Sequence, residues 1–160
     1  MKILVPIDGS KTSEKALEYA IKLQKKLLPG ADKEIIILNV LTPFQVHLGF
    51  ERPMKSLKTD KIISLTNFIE EMNETLKKEW VDNLSDIKKK YETQDVKIKT
   101  MIIEGSGSVA DNIISFADKE NANIIVIGNI GLSGISKIKT LGSVSRKVSE
   151  LSKCPVLIIH

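Results

Sequence analysis

The stretch IIVIGNIGLSGISKIKTLGSVS, residues 124–145, joins an apolar run, two glycines three residues apart and a third glycine that opens a helix-like segment. Ile124 to Ile127 is β-branched throughout and lacks polar alternation, which reads as a strand covered on both faces. Gly128 and Gly131 follow it, and Gly142 precedes Ser143, Val144 and Ser145. Strand, glycine loop and helix make up the repeating unit of a parallel α/β sheet. Glycines at such a turn let the backbone approach a ligand closely. The free N–H groups at a helix start carry partial positive charge, so an anion is favoured there. Hydroxyls such as those of Ser143, Ser145 and Ser149 add hydrogen bonds without filling the space a phosphate occupies. The segment is a candidate nucleotide phosphate cradle.

Working outward, four more apolar runs share this character: Lys2 to Ile7, Glu34 to Leu41, Val96 to Ile103 and Val156 to Ile159. Helical periodicity lies between them. Thr12 to Leu28 places Ala16, Leu17, Ala20, Ile21, Leu23, Leu27 and Leu28 on one stripe, with Ser10 or Ser13 as N-cap and Pro29-Gly30 as stop. A long helix is predicted from about Asp60 to Tyr91, carrying Ile62, Ile63, Phe68, Met72, Trp80 and Leu84 at helical spacing. Ser108 to Asp118 and Gly142 to Leu151 supply two shorter ones. Alternating strands and helices imply right-handed crossovers in an open doubly wound five-stranded parallel sheet, order 3-2-1-4-5, with helices on both faces. Residues 1–160 are read as a single α/β domain.

Thr42 to Thr59 contains Pro43, Gly49 and Pro53 without periodicity and reads as a long loop. The alternation of Phe44, Val46, Leu48 and Phe50 suits a loop pinned to the core by apolar side chains, a lid over a ligand or a surface for a partner.

Composition narrows the function. With 160 residues, 42% hydrophobic and 28% charged, the chain fits an ordinary globular protein with a core of Ile, Leu, Val and Ala. No apolar run reaches the roughly 18 to 20 residues that span a bilayer. The start, MKILVPID, has too short an apolar stretch for a secretory signal, so the expected location is cytoplasmic. The single cysteine, Cys154, forms no internal disulfide and reads as a buried or half-buried structural thiol. His47 and His160 have no metal-ligand spacing, so no metal site is expected. Net charge +4 raises nucleic acid as a partner, but the lysines are scattered among acids and the run Lys88-Lys89-Lys90 closes a helix, where it complements the dipole. No nucleic acid and no membrane partner is expected.

In doubly wound sheets ligands bind beyond the carboxyl ends of the strands, where strand order reverses. That would gather Pro6-Ile7-Asp8-Gly9-Ser10 at the end of the first strand, Asn39-Val40-Leu41 at the end of the second, and the glycine segment after the fourth. The glycine pair Gly128/Gly131 could alternatively be a plain turn, Gly142-Ser143 a helix start capped by Ser143 or Thr140, and Asp8 an Asx turn. A second cluster, Glu104-Gly105-Ser106-Gly107-Ser108, reads as a strand-to-helix turn.

KILVPIDGS at the start, Gly-x-x-Gly then Gly-Ser after the fourth strand, and the closing CPVLII together resemble the universal stress proteins over nearly the whole chain. The resemblance implies a cytoplasmic stress-response module that is dimeric through the last strand. It also implies an adenine nucleotide site for ATP, with Mg²⁺ or Mn²⁺ accompanying the phosphates. By that resemblance Gly128, Gly131, Gly142 and Ser143 form the glycine motif. Asp8 faces the ribose or adenine end, and Val40 offers backbone on the adenine side. Ser143, Val144 and Ser145 turn amides and hydroxyls to the phosphates.

One departure stands out: ten residues separate Gly131 from Gly142, where the family's binders carry nine. The extra residue either bulges outward or displaces the Gly131 amide. Two further readings are a dimeric interaction module that binds no nucleotide, and a weak nucleotide hydrolase. The latter has no evident base or nucleophile beside the glycines, which limits it to slow ATP hydrolysis.

Overall fold

A computed structural model describes residues 1–26, 33–46, 52–93, 96–132 and 141–160. The elements, in chain order, are β1 (Lys2–Pro6), α1 (Lys11–Lys26), β2 (Glu34–Leu41), β3 (Met54–Lys55), β4 (Ile62–Ile63), α2 (Leu65–Tyr91), β5 (Lys97–Glu104), α3 (Val109–Glu120), β6 (Ile124–Gly128), α4 (Ser143–Leu151) and β7 (Val156–Ile159). Five strands form one parallel sheet in the order β5-β2-β1-β6-β7. This is the predicted 3-2-1-4-5 order; only the small β3–β4 pair shifts the numbering.

The apolar runs lack alternation because helices cover both faces. On one face Ile3, Val5, Ile35 and Ile37 pack with Ala16, Leu17, Ala20 and Ile21 of α1 and Leu84 of α2. On the other, Leu4, Ile36, Leu38, Ile125 and Ile127 pack with Ala110, Ile113 and Phe116 of α3 and Val148 of α4. Consecutive strand residues thus enter opposite cores, as the period of two requires. Cys154 is half-buried against the second core, with no disulfide partner.

Two expectations need correction. The segment from Thr42 to Thr59 is not all loop, because Met54 and Lys55 pair antiparallel with Ile63 and Ile62. The second helix therefore starts at Leu65 rather than near Asp60. Ser64 caps it by accepting the Asn67 N–H at 3.1 Å, which satisfies an amide with no helical partner. Phe44 is 51% exposed and is held by its backbone: Asn73 Oδ1 accepts the Phe44 N–H at 2.9 Å, and Asn73 Nδ2 donates to the Phe44 carbonyl at 3.1 Å. The expectations on Leu27, Leu28, Pro29-Gly30, His47, Leu48, Gly49 and Phe50 lie outside the described residues.

Gly128 ends β6 where the first turn of α1 crosses it. A Cβ there would lie 2.8 Å from the Thr12 carbonyl carbon and 3.0 Å from the Ser13 nitrogen. Both neighbours are helix backbone and cannot rotate aside. Gly128→Ala is expected to destabilise the protein by about 1–3 kcal/mol, as overpacking does. Urea unfolding with an unchanged midpoint would show that α1 can back away from β6.

Candidate functional site

The ladder between β1 and β2 ends early. Its register closes at Pro6 opposite Leu38, and the last hydrogen bond runs from the Ile7 N–H to the Leu38 carbonyl at 2.8 Å. The chain then turns through Asp8, Gly9 and Ser10, with Gly9 at φ 82°, in the left-handed region that favours glycine. Ser10, not Ser13, caps α1: its hydroxyl accepts the Ser13 N–H at 3.2 Å. The Trp80 ring of α2 lies 3.7 Å from where a Gly9 side chain would begin, closing the outer side of the turn.

Asp8 ties this turn to the loop after β6. Ser10 N–H donates to Oδ1 and Leu132 N–H to Oδ2, each at 3.0 Å. Gly131 lies against the same carboxylate, so close that a Cβ would stand 2.6 Å from Oδ2. The Thr12 hydroxyl donates to the Ile130 carbonyl and fastens the same loop to α1. Burial works against ionising Asp8. Hydrogen bonds from the Ser10 hydroxyl and amide, the Leu132 amide and Ser13 outweigh it and hold the carboxyl below the usual aspartate value.

Gly142 is itself the N-cap of α4. Its N–H donates to the Asn129 carbonyl at 2.8 Å. A Cβ on it would lie 3.3 Å from that oxygen and 3.8 Å from the Gly131 nitrogen. The two ends of the glycine segment stand together despite the ten-residue interval. Residues 133–140 of that interval, with Thr140 as the alternative cap, lie outside the described residues. The first intrahelical bond of α4 is Arg146 N–H to the Gly142 carbonyl, 2.9 Å. The amides of Ser143, Val144 and Ser145 precede it and have no partner within the helix. The Ser145 hydroxyl is spent differently from the sequence reading. It is buried and donates to the Gly128 carbonyl at 2.7 Å, so only its amide is open to a ligand.

These elements enclose a cavity of about 500 Å³. All ten residues singled out in the sequence border it: Pro6, Ile7, Asp8, Val40, Gly128, Gly131, Gly142, Ser143, Val144 and Ser145. The volume lies within the range of small-molecule pockets, about 300 to 1,000 Å³. Sequence reasoning missed Leu132, whose amide holds Asp8, and Val109 and Ile113, which complete the apolar wall from α3. The i, i+4 spacing of the last two was the available signal, since it puts both on one helix face. The Gly105–Ser108 cluster is the expected strand-to-helix turn, with Gly107 at φ 78° and Asn112 Nδ2 donating to the Ser106 and Ser108 carbonyls at 3.2 and 2.9 Å.

A parallel sheet reversing beside its first strand, with a glycine-bounded cavity over the reversal, defines the class of doubly wound α/β proteins with a switch-point site. Within that class the chain belongs to the universal stress protein family, whose model matches residues 1–160. It is 36% identical over 160 residues to universal stress protein YxiE of Bacillus subtilis, covering 99% of this chain and 98% of the relative. It is 32% identical over 162 residues to universal stress protein MJ0577 of Methanocaldococcus jannaschii, covering 99% and 93%. The solved MJ0577 structure superposes with a TM-score of 0.75 at 28% identity, covering 99% of this chain and 94% of that one. The universal stress protein of Archaeoglobus fulgidus solved in complex with dAMP shares the fold, with a TM-score of 0.56, 24% identity and coverage of 100% and 98%.

The Asp8 shift carries a pH prediction. A carboxyl whose folded pKa lies below its unfolded value, about 3.9, stabilises the fold above that value and loses the contribution as pH falls through the folded pKa. Asparagine can accept only one of the two amides. Asp8→Asn is therefore expected to cost about 1–2 kcal/mol at neutral pH, the lower part of the range for hydrogen bonds to a charged group because Asp8 is only half-buried. The difference from the parent should shrink below pH 4. Urea unfolding at pH 7 and pH 3 checks this; an equal difference at both would remove the ionised carboxylate from the account.

Proposed function

We propose that this chain is an adenine-nucleotide-binding regulatory module of the cytoplasmic stress response, with ATP as ligand, acting as a single-domain homodimer. The carrying observation is the cavity itself, which offers complementary chemistry at its two ends. Three amides at the start of α4, without a hydrogen-bond partner among the described residues, suit a phosphate chain, each interaction contributing about 0.3–1 kcal/mol and up to about 2 when partly buried. Val40 borders the other end, where its backbone and the apolar wall of Leu38, Val109 and Ile113 suit a flat base. Micromolar affinity, about −8 kcal/mol, is within reach of such a site.

The described residues include no group of three metal-ligating side chains. A divalent ion, Mg²⁺ or Mn²⁺, would therefore be carried mainly by the phosphates. The polar groups around the cavity are amides, hydroxyls and one carboxylate already holding two amides, a set that binds phosphates and leaves hydrolysis slow at most. The Archaeoglobus fulgidus neighbour shows that the same fold accommodates an adenine nucleotide. No described helix is long and apolar enough to cross a membrane. Dimerisation through β7 is supported by its position: among the described residues Val156–Ile159 pairs only with β6, and an apolar edge strand invites a second strand.

Calorimetry should give micromolar ATP binding for the parent. Gly142→Val, whose side chain would press on the Asn129 carbonyl, should bind at least about tenfold more weakly. Equal affinity would sink the cradle. For the dimer, Leu157→Lys should sediment as a monomer at micromolar concentration where the parent sediments as a dimer; a dimeric variant would move the interface elsewhere.

A further inference from the structure

Asn39 is the only polar residue in the run from Ile35 to Leu41, and it is 3% exposed. Its Nδ2 donates to the Ile7 carbonyl at 2.9 Å. A carbonyl only accepts, so this contact fixes which way the amide faces. The Oδ1 atom is buried and takes no hydrogen bond among the described residues. An apolar side chain would fill the position without that penalty, so the carboxamide needs a reason beyond stability.

The sheet supplies one. In a parallel ladder a residue turns its N–H and C=O to the same neighbour, and successive residues alternate. The Leu38 carbonyl accepts from Ile7, on the β1 side, and the Leu41 carbonyl accepts from Gly105, on the β5 side. Val40 therefore turns its N–H and C=O towards β1. Continuing the ladder would join the Val40 N–H to the Ile7 carbonyl, yet the β1–β2 register stops one step earlier, at Pro6 opposite Leu38. The Asn39 side chain stands on that carbonyl instead. The next acceptor-seeking group along β1 is lost as well, because Gly9 at φ 82° turns the chain away into α1.

We propose that Asn39 is a positioning residue: its Nδ2 stands on the Ile7 carbonyl where the Val40 N–H would continue the β1–β2 ladder, and so keeps the Val40 backbone, which the nucleotide reading already puts on the adenine side, open to the cavity. The inference rests on that reading and adds the residue that keeps this edge open. A donor beside an acceptor on Val40 matches the N1 acceptor and N6 donor of adenine. Guanine presents a donor at N1 and an acceptor at position 6, so its edge sets like against like.

Asn39→Leu keeps the volume and removes the donor, freeing the Ile7 carbonyl for the Val40 N–H. Amide exchange followed by NMR needs no ligand. The Val40 amide of the parent should exchange as an unbonded amide, faster than that of Ile37, and the substitution should slow it at least about tenfold, the worth of one backbone hydrogen bond. ATP should protect the Val40 amide in the parent. In Asn39→Leu, ATP affinity should fall at least about tenfold and the preference for ATP over GTP should narrow, while affinity for inorganic tripolyphosphate stays unchanged. A Val40 amide already protected in the ligand-free parent, or one whose exchange the substitution leaves alone, overturns the role of Asn39. So does a variant that keeps the parent's preference for ATP. If the parent binds no ATP, the nucleotide reading and its selectivity fall together, while the exchange comparison still decides who holds the Ile7 carbonyl.

Discussion

The structure turns on the reversal of strand order at β1. Pairing with β2 runs for five residues, from Lys2 to Pro6, whereas pairing with β6 covers only Ile3 and Leu4. Above Leu4 the strands part, because α1 leaves to one face of the sheet and α3 and α4 lie on the other. A parted sheet exposes backbone groups that must find partners. Asp8 supplies one repair. Its carboxylate accepts amides from its own turn and from Leu132 and so rejoins across hydrogen bonds what the ladder no longer joins. The crevice stays open yet does not come apart.

Seen from this constraint, the three glycines of the site have separate causes. Gly128 is small because the α1 backbone crosses it, Gly131 because the Asp8 carboxylate stands where its side chain would be, and Gly142 because a Cβ there would lie 3.3 Å from the Asn129 carbonyl oxygen. None of the three requires a positive φ. They are demands of close approach, and together they bring the start of α4 against the loop that Asp8 holds. A phosphate-sized anion would meet amides whose positions are fixed before it arrives, which is what preorganised binding needs.

Much of this was legible in the sequence. Unalternating Ile/Val runs such as EIIILNVL gave the buried parallel strands, and the switch-point rule gathered Asp8, Val40 and the glycine segment, which the fold does place around one cavity. What the sequence hid was which atoms are already occupied. Ser145 looked like a hydroxyl for a phosphate, but a buried hydroxyl must bond, and the Gly128 carbonyl is nearer. Ile62 and Ile63 fit the helical period of α2 by spacing, yet they pair across a two-residue strand that periodicity alone cannot distinguish from a helix turn. The capping choice between Ser10 and Ser13 likewise depended on where the Gly9 turn ends, a backbone matter that composition does not carry.

Asn39, like Gln24 of α1, is a residue where sequence and structure come close to disagreeing. A polar side chain inside an apolar strand reads as a local inconsistency, and leaving its Oδ1 buried without a partner among the described residues costs about 1–3 kcal/mol. Inconsistencies of this kind concentrate where a protein gives up stability for function. The alternative, a leucine at the same place, would lengthen the ladder by a bond, seal the β1 side of β2 and add an apolar side chain at a buried position. Each of those gains would narrow the crevice that the strand reversal opens. The carboxamide thus limits how far the sheet can close, as Asp8 limits how far it can part. The width of the cavity is set between the two.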